Sequence, residues 1–201
     1  MDIGLYNFKY PFRKFINGLL PFFKDSDPNW ISFWLIPIGI VTAVDYFYAS
    51  AFPFAYILGI ILIFIRMVVG TMDGLVAVTY HKESPKGEMI NRITPEIADV
   101  LLMLGIIFSK PDYYFVGILA LAVCWTTSFA GLIGITANQK IQSVGPVGQT
   151  DRIAALILFS LLQYINLYLG YNIDFIWIFL WWCVFGGILT IAIRLYRSIS
   201  K

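Results

Sequence analysis

Long apolar stretches constrain this chain more than any other feature of its sequence. A helix needs about 20 apolar residues to cross the hydrocarbon core of a bilayer. Six stretches approach that length, at residues 29–50, 53–79, 93–109, 111–137, 152–170 and 174–195. Of the 201 residues only 13% are charged, about half the share in soluble domains. The sequence therefore predicts an all-α integral membrane protein, with six transmembrane helices forming one membrane domain over residues 28–201.

The basic residues predict how this domain is oriented. Twelve of the 14 Lys and Arg residues lie in the N-terminal arm, the loops at 80–92 and 138–152, and the C-terminal tail. With six spans, all four segments are on one side of the membrane. Because Lys and Arg are enriched in cytoplasmic loops, we expect both termini in the cytoplasm and the protein in the cell (inner) membrane. The small net charge of +2 suggests no nucleic-acid partner.

The N-terminal arm, residues 1–27, has a different pattern. Between residues 4 and 24, apolar residues recur at helical spacing and basic residues lie between them, which is typical of a helix in the membrane interface. Pro11 and Pro21 are expected to break this helix. A plain membrane anchor and a lipid-binding or gating role both fit the pattern. The arm lacks an uninterrupted apolar core before a cleavage site, so we expect no cleavable signal peptide.

Several ionisable residues fall at membrane depth, where such groups usually face the bundle interior or a water-filled cavity. They are Asp45, Arg66, Asp73, Glu96 and Asp99. Arg66 lies about 10 Å deeper than Asp73 by helix rise, and Asp99 reaches a similar depth on the next, antiparallel span. We therefore predict a buried ion pair between Arg66 and Asp99. The alternatives are that Arg66 pairs with Asp45 or reaches a water-filled cavity.

The segment from Asp73 to Asp99 carries a recognisable motif. Asp73, Gly74, Ala77 and Gly87 match, with every spacing intact, the signature D-x2-D-G-x2-A-R-x8-G-x3-D-x3-D. That signature belongs to the CDP-alcohol phosphotransferases, and the chain resembles this family over nearly its whole length. Residues 27–32 resemble the start of the family's first span, and residues 145–158 resemble the start of its fifth. An amphipathic helix followed by six spans also matches.

The resemblance implies a chemistry and a set of site residues. Family members transfer a phosphatidyl or phosphoalcohol group from a CDP-linked lipid to an alcohol and release CMP. Four aspartates hold two divalent cations, Mg²⁺ or Mn²⁺, that neutralise the phosphates. Implied partners are a membrane lipid, a CDP-linked lipid if the protein is active, and a second copy or other subunits of a membrane complex. The implied substrate-binding residues are Asp73, Gly74, Ala77, Gly87, Asn91, Lys140 and Arg152.

The sequence departs from the signature at four of its eight positions. Gly70, Asn91 and Pro95 replace three of the four aspartates, and Val78 replaces the arginine. Asp73 is the one motif carboxylate left for a metal. Asp99 lies about 40° round the helix from position 95, so it is the candidate replacement for the catalytic base. A shifted metal site would use Asp73, Asn91 and Asp99.

These losses lead to two functional hypotheses. We expect a non-catalytic relative that binds lipid, regulates, or helps to assemble a membrane complex. The alternative is a divergent transferase of phospholipid synthesis. A transporter has little support, because no repeat or pair of broken helices is apparent. Among the remaining residues, Cys124 and Cys183 are expected to be small buried apolar residues, and His81 a solvated loop residue.

Overall fold

The structure is a computed structural model that describes residues 9–137 and 141–199. Across these residues the regular elements are all helical, which confirms the predicted all-α class. The α-helices are α1 (Lys9–Ile16), α2 (Pro28–Phe33), α3 (Leu35–Tyr48), α4 (Ala55–Thr79), α5 (Pro85–Ser109), α6 (Tyr114–Ile133), α7 (Gln149–Tyr168) and α8 (Phe175–Ile199). Short 3₁₀ segments cover Asn17–Phe23, Pro111–Tyr113 and Gly134–Ala137.

Within residues 9–137 and 141–199, four helical segments are long and apolar enough to cross a membrane: Pro28–Tyr48, Ala55–Thr79, Pro111–Thr136 and Phe175–Ile199. The other two predicted spans, at 93–109 and 152–170, fall in α5 and α7. These helices are also long, but α5 carries five charged residues and α7 begins with Asp151 and Arg152 beside each other. The chain is therefore a helical membrane protein. Its six-span count stays a prediction.

The first predicted span is interrupted near its start. Asp27 caps α2, since its Oδ1 accepts a hydrogen bond of 2.9 Å from the backbone N–H of Asn29, and Pro28 occupies the first helical position, where proline is favoured. The α-helix stops at Phe33 and resumes at Leu35. Pro37 explains the break, because a proline ring has no N–H to donate to the carbonyl four residues earlier and clashes with it. The short helix α2 carries Asn29 and Ser32 towards α4 and α5.

Residues Phe8–Ser109 form one compact unit, which contains α1 to α5. Within it, α3 packs mainly on α5, and α4 packs on α2 and α3. The contact between α3 and α5 is very close: a Cβ on Gly39 would lie 2.9 Å from Ala98 Cα, and one on Gly105 would lie 2.6 Å from Ala43 Cα. Small residues let helix backbones approach this closely in membranes.

The described part of the N-terminal arm packs against α4 in the same unit. Ile16 and Leu20 join a buried apolar cluster with Ile31, Met72 and Val76. Pro21 lies in the 3₁₀ segment, whereas Pro11 does not break the helix, because it falls in the first turn of α1, where proline is tolerated. Residues 1–8 of the predicted amphipathic helix lie outside the described residues.

The other compact unit contains α6 to α8, within Lys110–Lys201. Here α8 packs against both α6 and α7. Cys124 on α6 and Cys183 on α8 are both buried and neither is in a disulfide, as predicted from their apolar surroundings.

Candidate functional site

The best-preserved part of the motif lies where α2, α4 and α5 meet. Asp73 on α4 is only 1% exposed. Its Oδ2 accepts a hydrogen bond of 2.5 Å from Ser32 Oγ on α2, and its Oδ1 accepts one of 2.6 Å from the backbone N–H of Gly74. These two donors hold the carboxylate in one orientation, so Asp73 acts here as the link between α2 and α4.

Both motif glycines are in close contact with amide side chains. A Cβ on Gly74 would lie 3.2 Å from Nδ2 of Asn91 on α5. A Cβ on Gly87 would lie 3.2 Å from Oδ1 of Asn29 on α2, and the Gly87 N–H donates to Ser84 Oγ at 3.0 Å. Ala77 follows Gly74 on α4 and is half-buried. The predicted residues Asp73, Gly74, Gly87 and Asn91 are thus brought together, and both glycines permit the close approach.

Deeper along α4, the structure brings Arg66 and Asp99 together. Arg66 Nη2 lies 2.5 Å from Asp99 Oδ1, and each side chain is only 10% exposed. The same Nη2 donates a hydrogen bond of 3.0 Å to the backbone carbonyl of Pro95. Asp45, the alternative partner, lies elsewhere on the α3–α4 contact, with its Oδ2 2.9 Å from the position of a Cβ on Gly59. Arg66 therefore joins α4 to α5 beside the last position of the motif.

The residues present do not fit a two-metal site of the family type. Gly70 and Pro95 offer no side-chain ligand, and Val78 is 57% exposed. Across residues 9–137 and 141–199, no group of three or more His, Cys, Asp and Glu side chains could hold a metal ion. Asp99, the candidate replacement, is paired with a guanidinium that repels any nearby dication. Asp73 alone is an incomplete ligand set for Mg²⁺ or Mn²⁺.

Two arginines, Arg152 and Arg194, are buried in the second unit. Arg152, predicted to bind substrate, is 7% exposed and donates to the Cys124 carbonyl at 2.8 Å and to Thr127 Oγ1 at 3.2 Å. Arg194 is 5% exposed and donates to the carbonyls of Val144 and Thr127 at 2.8 and 2.5 Å. Both arginines connect interior backbone groups. Lys140 lies outside the described residues.

A second polar cluster, which the sequence did not reveal, surrounds Asp174 just before α8. Its Oδ2 lies 2.9 Å from Lys110 Nζ, and its carboxylate accepts hydrogen bonds from the Tyr113 hydroxyl and the Trp177 N–H. Burial alone would raise the pKa of Asp174, but the hydrogen bonds from Tyr113 and Lys110 outweigh it, and the pKa lies below its usual value. An aspartate directly before a helical pattern was the available signal, because such a residue caps helices.

Apolar helices and buried charges together define a polytopic helical membrane protein. No protein-family model matches the chain. It is similar to the inner membrane protein YnbA of Escherichia coli (strain K12), with 29% identity over 124 residues. The match covers 62% of this chain and 61% of that protein, so the chain spans less than two thirds of its relative's length.

Proposed function

We propose that the chain is a six-span inner-membrane protein of the CDP-alcohol phosphotransferase type that does not turn over substrate by the family's metal-dependent mechanism. Its role is to bind lipid, to regulate, or to help assemble a membrane complex. The observation that carries this proposal is the ion pair between Arg66 and Asp99, beside the carbonyl of Pro95. The similarity to an inner membrane protein of E. coli supports the inner membrane as the location of this chain.

The charges of the ion pair argue against metal-dependent catalysis at this site. A pair of divalent cations in a partly dry site needs several carboxylates for ligation and for charge balance. Arg66 places a permanent positive charge beside position 95, and Asp99 already neutralises it. A dication close to this pair would gain no free carboxylate from Asp99 and would be repelled by Arg66. The deep side of the motif is therefore a structural contact between α4 and α5.

The shallow side of the motif keeps its shape without its metal ligands. Ser32 Oγ and the Gly74 N–H both donate to the Asp73 carboxylate, and the glycines allow close approach of the amides of Asn29 and Asn91. These groups offer neutral donors and acceptors and one carboxylate. Ser32 and Asp73 are only 2% and 1% exposed, and the groups named here include no cation. The site therefore does not suit a pyrophosphate, which requires compensating positive charge.

Thermal unfolding in detergent tests the proposal. The protein is heated with CDP or CDP-diacylglycerol, with and without Mn²⁺, and CMP release is followed over the same conditions. We expect no metal-dependent rise in Tm and no CMP release. Asp73→Ala and Ser32→Ala are matched variants, since each removes one partner of the same hydrogen bond. A Mn²⁺-dependent rise in Tm that Asp73→Ala abolishes would contradict the proposal and favour the divergent transferase, which the intact spacing around Asp73 supports.

Chemical labelling tests the six-span topology. In a variant whose native cysteines, Cys124 and Cys183, are replaced by alanine, Asp112→Cys supplies a single thiol between α5 and α6. If α5 crosses the membrane, this thiol lies outside, and an impermeant maleimide labels it in intact cells. If α5 does not cross, the thiol lies inside with the cytoplasmic N-terminus and is labelled only after lysis, and the six-span count is wrong.

A further inference from the structure

A groove of about 360 Å³ opens on the first compact unit, between the end of the N-terminal arm and helices α2 to α4. Its walls are mainly apolar and aromatic, with Ser26 as the one polar residue among those that line it. The lining includes Phe23, Ser26, Trp30, Trp34, Ile38 and Val69. The groove is distinct from the Asp73 cluster, because α2 carries Ser32 to Asp73 but presents Trp30 and Ile31 to the groove.

We infer that this groove binds one acyl chain of a membrane phospholipid and that Lys82 binds its phosphate. The inference deepens the proposed function and rests on it only in so far as that proposal makes the chain a lipid-binding membrane protein. It does not require nucleotide binding or catalysis at Asp73.

The position of the groove suits an acyl chain that enters from the membrane surface. Trp30 and Ile38 are eight positions apart along α2 and α3, or about 12 Å by helix rise, which is over a third of the roughly 30 Å hydrocarbon core. Trp30 and Trp34 are 69% and 61% exposed, and exposed tryptophans are enriched at the headgroup level of membrane proteins. The groove therefore runs from the interface into the hydrocarbon region.

Lys82 supplies a positive charge beside Ser26, one of the residues that line the groove. Its Nζ donates to the backbone carbonyls of Lys24 at 2.6 Å and Ser26 at 2.9 Å. Both acceptors are neutral, and no carboxylate pairs with Lys82 among the described residues. An ammonium has three donors, so one N–H and the whole charge remain for an anion. A phosphate satisfies both, through a charge-assisted hydrogen bond.

The N-terminal arm holds this part of the groove in place. Its buried face, with Ile16 and Leu20, packs on α4, and the Tyr80 hydroxyl donates to the Leu20 carbonyl at 3.1 Å. On its other face, Phe22 is 82% exposed and Lys24 is exposed, as expected of a helix lying among headgroups. One wall of the groove is therefore fixed at the level where a phospholipid phosphate lies.

Tryptophan fluorescence tests the inference directly. Replacing Trp125, Trp177, Trp181 and Trp182 by Phe leaves Trp30 and Trp34 as the only emitters. This variant is titrated in detergent with phospholipid whose acyl chains are brominated, because bromine quenches tryptophan on contact. We expect quenching that saturates near one lipid per protein. Val69→Phe narrows the groove and should abolish the saturable quenching. Ile61→Phe, at an exposed site on the same helix, should not change it.

Lys82→Gln tests the phosphate contact separately. Glutamine keeps an amide that can donate to the carbonyls of Lys24 and Ser26 but loses the charge, which is worth about fivefold in lipid affinity. The inference is overturned if quenching rises without saturation, or if Val69→Phe and Ile61→Phe behave alike. Saturable quenching that Lys82→Gln leaves unchanged overturns the phosphate contact. The nucleotide experiment on Asp73 uses a different readout, so the two proposals can fail independently.

Discussion

The ion pair between Arg66 and Asp99 is best tested by removing one charge at a time. Asp99→Asn keeps the shape of the side chain and removes its charge, so the Arg66 guanidinium stays buried with neutral acceptors, among them the Pro95 carbonyl, and without its counter-charge. An uncompensated buried charge costs about 3–5 kcal/mol. Both side chains are only 10% exposed, so water screens little of this cost. For a chain of this size we expect Tm to fall by about 6–20 °C.

The double variant Arg66→Met/Asp99→Asn removes the attraction between the two charges together with the cost of taking them out of water. Removing both charges of a buried pair is often neutral or even stabilising, because the desolvation cost disappears with the attraction. We therefore expect the double variant to be more stable than Asp99→Asn alone and close to the unmodified protein. Arg66→Met alone should also be destabilised, since it leaves the Asp99 carboxylate without its guanidinium.

Unfolding of all four proteins in the same detergent gives the coupling energy of this cycle. Independent sites are additive within about 0.5 kcal/mol, whereas we expect a coupling of at least about 2 kcal/mol from the buried pair. Equal losses that simply add in the double variant would refute the reasoning, because they would mean that neither side chain senses the charge of the other.

Two further predictions concern helix contacts and pH. Gly105→Val should abolish folding, because its Cβ would lie 2.6 Å from Ala43 Cα on α3. Gly70→Ala should raise Tm slightly, because its Cβ would meet only the Leu35 side chain, at 3.6 Å. Thermal unfolding of the two variants tests both expectations. The lowered pKa of Asp174 means that its ionised form stabilises the fold above about pH 4 and that this contribution is lost as acid protonates it. Unfolding from pH 6 to pH 3 should therefore show the advantage over Asp174→Asn shrinking; a constant difference would contradict the assignment.

The length of the apolar stretches was enough to predict the four most apolar spans. It did not decide whether α5 and α7 also cross the membrane. The apolar stretches in α4, α6 and α8 are continuous, so their length alone predicts transmembrane spans. In α5 charged residues interrupt the apolar pattern, and α7 begins with Asp151 and Arg152. Composition cannot tell a charge that faces the protein interior from one on a helix that does not cross the membrane. The break after α2 did have a signal in Pro37, because a proline inside a helical stretch removes a backbone hydrogen bond and kinks or breaks the helix.

The candidate site was predictable where helix geometry alone decides. The separation of Arg66 and Asp99 from the ends of two antiparallel helices fixes their depth, so their pairing follows from helix rise. The hydrogen bond from Ser32 to Asp73 joins residues 41 positions apart, and it depends on how α2 packs. The role of Arg152 could not be predicted from the sequence, because a basic residue near a helix end is equally compatible with a substrate contact, a topology signal or a buried hydrogen-bond donor.

The departures from the motif are physically connected, which leads to a last prediction. Pro95 and Asp99 both contact the Arg66 guanidinium, so restoring aspartates at positions 70, 91 and 95 would put new carboxylates near a resident cation. We expect Gly70→Asp/Asn91→Asp/Pro95→Asp to bind Mn²⁺ weakly, and the same variant with Arg66→Met to bind it at least about tenfold more tightly, by removing the competing charge. Isothermal titration with Mn²⁺ compares the two. Equal affinities would show that Arg66 is electrostatically remote from the motif, and would remove the main argument against metal binding in the natural sequence.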